Sequence, residues 1–154
     1  MSSALRYLLI VGCSQRKRPD PGLLPAIERY DGVNFRVLRK AQREGYWPKN
    51  LEVLIVSAKY GLISAESLIE NYDQKMTRAR ALALRSEVGA DLDFYFQKKL
   101  YSEVFVNLGK LYMITLALSK GLATLDGRVR YATGGIGGKM SQMKKWLQDI
   151  YARE

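Results

Sequence analysis

The chain has 154 residues, 47% of them hydrophobic and 10% aromatic, which is enough for one domain with a single core and too apolar for general disorder. Lys and Arg number 25 against 15 Asp and Glu, with one cysteine and no histidine. These counts exclude an internal disulfide framework, a histidine-based triad and imidazole metal sites, so any chemistry falls to Asp, Glu, Lys, Tyr and Cys, with no metal and no cofactor expected.

In chain order, residues 6–12 (RYLLIVG) read as a buried strand, followed by the polar loop CSQRKRPDPG, in which Pro19, Pro21 and Gly22 exclude regular structure. A short helix over 24–29 and a longer one over 33–44 come next, and Gly45 and Pro48 close the second before a strand over 52–57. Leu84, Val88, Leu92, Tyr95 and Leu100 recur at helical spacing within 77–100, with Gly89 as a candidate kink. Residues 103–107 (EVFVN) form a third strand, 111–122 a largely apolar helix and 128–133 a fourth strand. The last helix covers 138–151, with Met140, Met143, Leu147 and Ile150 on its core side. This alternation predicts a three-layer α/β single domain over 1–154, its mostly parallel sheet of about four strands flanked by helices.

Ligands of such sheets bind beyond the carboxyl ends of the strands, and three strand ends here carry polar sequence: GCSQRK, SAKYGL and ATGGIGGKM. In the last, Gly134, Gly135, Gly137 and Gly138 let backbone N–H groups approach an anion at a helix N-terminus, and Lys139 adds a full charge. It is not a Walker A loop, because the first glycine of that pattern falls on Thr133 and Met140 follows the lysine. A turn where helix packs closely on strand is the other reading. In the first loop, Cys13 is either a nucleophile beside Arg16 and Lys17 or a small apolar filler of the strand end, while Ser14 and Lys17 are candidate phosphate contacts.

From the second loop, Ser57, Lys59 and Tyr60 are expected to line a pocket closed by Tyr72 and Asp73. Tyrosine offers a stacking face, Lys59 a contact for phosphate or developing negative charge, and Asp73 an acceptor or proton carrier paired with Lys59 in one cleft with Cys13. The alternative puts Tyr60 in the core, Lys59 in solvent and Asp73 at a helix cap. Arg36, Arg39, Lys40 and Arg43 recur at i, i+3, i+4 and i+7, a basic stripe suited to a nucleic-acid backbone or an ordinary solvated helix face.

The order CSQRKR, RYDGVNF, VSAKYGLISAESLIENYDQKM, VFVNLGKLY and GGIGGKMSQMKKWL resembles, over nearly the whole chain, a widespread uncharacterised family of small bacterial, archaeal and phage proteins. Tyr30 with Gly32, residues 57–63, Tyr72 with Asp73, and residues 106–109 are also similar in order to the motifs of YaaA-type peroxide-stress proteins. A partly similar CS-x-x-K loop occurs in archaeosine synthase. The resemblance implies nucleic-acid or nucleobase business; the chain departs from the YaaA motif in having Asp73 where that motif has arginine.

The net charge of +10, concentrated in residues 1–50 and 101–154, points to the same partners. Two functions are therefore expected. One is a nucleotide- or nucleic-acid-directed protein with a phosphate or nucleobase pocket, including the case of an enzyme that modifies a base or glycosidic bond. The other is a non-catalytic basic DNA- or RNA-binding protein of the YaaA stress-protection type. No apolar run is long enough for a membrane span and no signal sequence is evident, so a cytoplasmic protein without a membrane partner is expected.

Overall fold

Four consecutive side chains, Leu8 to Val11, are all 0% exposed, which places the first apolar run at the centre of a sheet covered on both faces. The computed structural model describes residues 5–153. It begins with β1 (Tyr7–Gly12), a two-residue β2 (Leu24–Pro25), α1 (Ala26–Arg29) and α2 (Val33–Arg43). Then come β3 (Leu51–Ser57), β4 (Gly61–Ser64), a two-residue β5 (Leu68–Ile69) and α3 (Arg78–Lys98). The chain ends with β6 (Glu103–Asn107), α4 (Lys110–Met113), α5 (Lys120–Leu125), β7 (Val129–Tyr131) and α6 (Ile136–Ala152). The main sheet has the order β4-β3-β1-β6-β7 and is parallel except for β4, which folds back on β3 as a hairpin; β2 and β5 pair separately.

Side chains of alternate direction feed two cores. Leu9, Val11, Ile55 and Phe105 meet Phe35 and Leu38 of α2 and Trp146, Leu147 and Ile150 of α6. On the other face Leu8, Ile10, Val56 and Val106 meet Leu84, Val88 and Leu92 of α3. The result is the expected three-layer α/β domain, and none of its described helices is long and apolar enough to cross a membrane.

The differences from the sequence reading have local causes. The fifth strand, β4, consists of GLIS, too short to show a period, and follows a turn made possible by Gly61 at φ 76°. Gly89 does not kink α3; a Cβ there would lie 3.1 Å from the backbone of Leu118, so glycine lets that segment pack closely. The expected 111–122 helix divides into α4, a 3₁₀ turn over Ile114–Leu116 and α5, which is restarted by the Ser119 cap. Helix α6 begins two residues early, at Ile136, so Gly137 and Gly138 lie in its first turn, and Trp146 joins Met143, Leu147 and Ile150 in the core while Met140 is only half-buried.

Candidate functional site

The chain leaves β1 for α2 on one face of the sheet, but leaves the neighbouring β6 for α4 on the opposite face. Diverging connections between adjacent parallel strands open a crevice at their carboxyl ends. A cleft of about 470 Å³ lies there, bordered by residues 12–16 after β1, the first turn of α2 (Gly32 to Phe35), Asn107 and Gly109 after β6, Tyr112, and Ile136 and Lys139 of α6. Of its lining residues Phe35 and Asn107 are buried, at 1% and 4% exposure, and Ile136 is 75% exposed.

Both long helices that border this cleft start on a glycine. Gly32 caps α2 and Gly135 caps α6, neither with a side-chain cap bond, so the first-turn N–H groups of two helices have no cap side chain to receive them. The two caps differ in cause. A Cβ at Gly32 would come within 2.8 Å of Ser14 Cβ, so close approach of α2 to the β1 loop demands glycine there, and Gly32 N–H donates to Ser14 Oγ at 3.2 Å. At Gly135 and Gly137 no atom lies within 4 Å of the added Cβ and neither φ is positive, so packing demands glycine at neither position.

A hydroxyl cluster adjoins the cleft through Cys13. The Cys13 N–H continues the β1–β3 ladder to Val56 O at 3.0 Å, which fixes the residue, and its Sγ lies 3.2 Å from Tyr112 Oη. A Cβ added at Gly12 would touch the ring of Tyr112 at 3.4 Å, an ordinary contact distance. Behind Cys13, Tyr30 Oη donates to Ser57 Oγ at 3.1 Å and lies 2.6 Å from Tyr72 Oη, itself 3.0 Å from Ser57 Oγ. Burial pushes the Tyr72 hydroxyl up to about 12, the charge of a Cys13 thiolate adding to the effect, and desolvation raises Tyr30 and Tyr112 further. Lys17 Nζ lies over the Tyr72 ring at 4.3 Å; desolvation lowers its pKa, opposed by Cys13 and Asp73. A smaller depression of about 240 Å³, lined by Gln74, Lys75 and Met76, shares Cys13 to Gln15 and Tyr112 with the main cleft.

The expected site residues divide accordingly. Cys13, Ser14 and Lys139 border the cleft, though Lys139 Nζ donates to Leu108 O at 2.9 Å and so ties α6 to the β6 loop. Ser57 is fully buried and organises the hairpin, accepting from the N–H groups of Lys59 and Tyr60. Lys59 does not pair with Asp73: its Nζ bonds Glu70 Oε1 at 3.1 Å, over the rings of Tyr60 and Tyr72. Neither Lys59, Tyr60 nor Asp73 lines the Cys13 cleft; Asp73 is exposed and acts through its charge on Lys17.

The basic stripe on α2 is not uniform either. Arg39 points inward to the carbonyls of Ile27 and Tyr30, both at 2.8 Å, and to Asp31 at 2.5 Å; Arg36 also pairs with Asp31 and Lys40 with Glu44, leaving Arg43 exposed. Hydrogen bonds from Arg36 and Arg39 outweigh desolvation and hold Asp31 below the usual carboxylate range. The segment after the first loop is organised by Arg29, a fully buried guanidinium that donates to the carbonyls of Arg18, Asp20 and Gly22.

Sequence reasoning missed Asn107 and Tyr112. The available signal for Asn107 was an amide ending an apolar strand, and for Tyr112 a hydroxyl beginning an apolar helix.

Residues 8–149 match the model of DUF6884, a family of unknown function. No curated protein matches the chain. Among solved structures, the chain is similar to the crystal structure of AF0587, a protein of unknown function, at 14% identity and a TM-score of 0.53. The similarity covers 92% of this chain and 44% of that one, so the chain spans less than half the length of AF0587 and shares its fold over that part.

Proposed function

The chain belongs to the DUF6884 family and, as membership brings no known activity, we propose from geometry that it is a nucleotide-directed protein that binds its ligand in the β1–β6 cleft. The observation that carries this reading is the pair of glycine-started helices, α2 and α6, whose uncapped first turns border one crevice. Helix N-termini attract anions through their free N–H groups and the helix dipole, and glycines not required by packing keep the backbone open to a phosphate. Arg16, exposed and lining the cleft, brings a guanidinium that Asp31 partly neutralises at 3.4 Å. Below the rim, Phe35 and Tyr112 form apolar walls suited to a flat ring.

Cys13 is the side chain placed to act on such a ligand: it borders the cleft beside the Tyr112 hydroxyl and in the field of Lys17. A base- or glycosidic-bond-modifying activity fits that placement, and the motif resemblance to YaaA-type proteins and archaeosine synthase points to the same ligand class. The alternative, a basic nucleic-acid binder without a pocket, retains the charge of +10 but finds less support on α2, where Arg36, Arg39 and Lys40 are paired.

The test is calorimetric titration with the four nucleoside 5′-monophosphates at low salt, for the wild type and Gly137→Val. Binding by the wild type with Kd on the order of 1 mM or tighter, weakened in the folded variant, is expected. No binding of any nucleotide in that range would overturn the reading.

A further inference from the structure

Asn107 is a buried amide with little to hold. It ends β6 at 4% exposure, lines the cleft with Phe35, and makes one long contact, Nδ2 to Met143 Sδ at 3.5 Å. A thioether is a weak acceptor, and the Asn107 side-chain oxygen makes no hydrogen bond among the described residues. That oxygen, unlike Asn34 Oδ1, is not among the fully buried unpaired atoms of the described residues, so it stays open to the cleft, where a donor can reach it. Phe105, two residues earlier on the same face of the strand, is apolar and buried, so that face does not itself call for an amide. The neighbouring Asn34, also bordering the cleft, has a buried Oδ1 without a partner.

We infer that Asn107 is a specificity-determining residue, reading the hydrogen-bonding edge of a heterocyclic base inserted into the cleft with its phosphate left at the rim. This rests on the nucleotide reading above and adds to it which part of the ligand is recognised, and where. The side-chain amide presents one donor and one acceptor side by side, and adjacent donor and acceptor atoms recur on the edges of the nucleobases; two such bonds made together discriminate strongly. The layout agrees: among the lining residues Arg16 and Ile136 are exposed, Phe35 and Tyr112 supply apolar surface, and Asn107 is a polar side chain that is buried. A site built to bond such an edge rejects ligands lacking it, because its buried groups are then left unpaired.

The experiment compares the four nucleoside 5′-monophosphates with ribose 5-phosphate on the wild type, Asn107→Leu and Asn107→Asp, with circular dichroism and thermal melts reporting that each variant folds. The wild type is expected to bind at least one nucleotide roughly tenfold to a hundredfold more tightly than ribose 5-phosphate. Asn107→Leu should cut that margin by roughly tenfold and level the differences among the four nucleotides, with the ribose 5-phosphate affinity nearly unchanged. Asn107→Asp, which accepts but cannot donate, should move the preference toward GMP, whose base offers two adjacent N–H donors. Ribose 5-phosphate binding as tightly as every nucleotide in the wild type would overturn the inference while leaving the anion site intact, a result that needs no variant to fold. Nucleotide selectivity unchanged in both folded variants would also overturn it. Absence of binding by any of the five compounds would instead bring down the nucleotide reading itself, and this inference with it.

Discussion

The two ends of the parallel strands are finished differently. At their amino ends the carboxylates near the starts of β3 and β6 are bonded: Glu52 accepts from Lys99 and from Tyr101 Oη at 3.0 Å, and Glu103 from Trp146 Nε1 at 3.2 Å and from Arg153. A depression of about 310 Å³ beside Trp47 lies at this end, but its Glu52 and Lys99 are bonded to each other. At the carboxyl ends two helices start without side-chain caps, Asn107 keeps a free oxygen and Asn34 a buried one without a partner. One end closes its polar groups within the protein, and the other presents them to a cleft. Unused bonding capacity at the carboxyl end is what the proposed binding site would draw on.

The largest effect should come from breaking the closed end. Trp146 is fully buried, stacks on Phe105 at 5.2 Å between ring centroids and meets Tyr7 edge-on at 6.3 Å. Trp146→Ala is expected to lower unfolding free energy by about 3–5 kcal/mol in urea titrations, while the folded fraction keeps its ligand affinity. A loss of binding in the folded fraction would show the two ends to be coupled.

The open end should respond in the opposite sense. Gly137 lies in the first turn of α6 with free space around a new Cβ, so Gly137→Ala should leave stability unchanged or raise it by up to about 1 kcal/mol. Nucleotide affinity should nonetheless fall, by roughly tenfold if the phosphate touches this turn. Such a trade of binding against stability is the mark of a functional glycine.

A smaller effect belongs to the ion pairs at the start of α2. Asp31 holds Arg36 and Arg39 where α2 meets the cleft, and titrates below its ordinary value of 3.8. A depressed pKa means that the pairing stabilises the fold above that value and is lost as pH falls through the lowered one. Thermal melts should therefore show Asp31→Asn less stable than the wild type by about 0.2–1 kcal/mol near neutral pH, the gap closing only below about pH 4.

Much of the fold was legible because β1, β3 and β6 are continuous apolar runs, and only a strand buried on both faces requires that. The β4 hairpin was not, since GLIS pairs through a turn whose geometry depends on Gly61 rather than on any period. At the site, the glycine helix start and Cys13 could be found as strand-end sequences. The partnership of Lys59 with Asp73 was misjudged, because hairpin direction decides whom a turn lysine meets, and Glu70 lies on that side. Arg39 looked like a surface cation by spacing alone, yet carbonyls of Ile27 and Tyr30 draw it inward. Tyr30, Ser57 and Tyr72 meet only through tertiary structure across 42 residues of sequence, which no local pattern records.

The central claim, that the carboxyl end between β1 and β6 is the binding site, is tested most directly by nuclear magnetic resonance of isotope-labelled protein titrated with nucleoside 5′-monophosphates and inorganic phosphate. The account predicts that phosphate shifts the backbone amides of Val33 to Phe35 and Ile136 to Lys139, and that nucleotides also shift the Asn107 side-chain amide. Shifts confined to the Trp47 and Glu52 end of the sheet, or to exposed lysines and arginines without these amides, would contradict it.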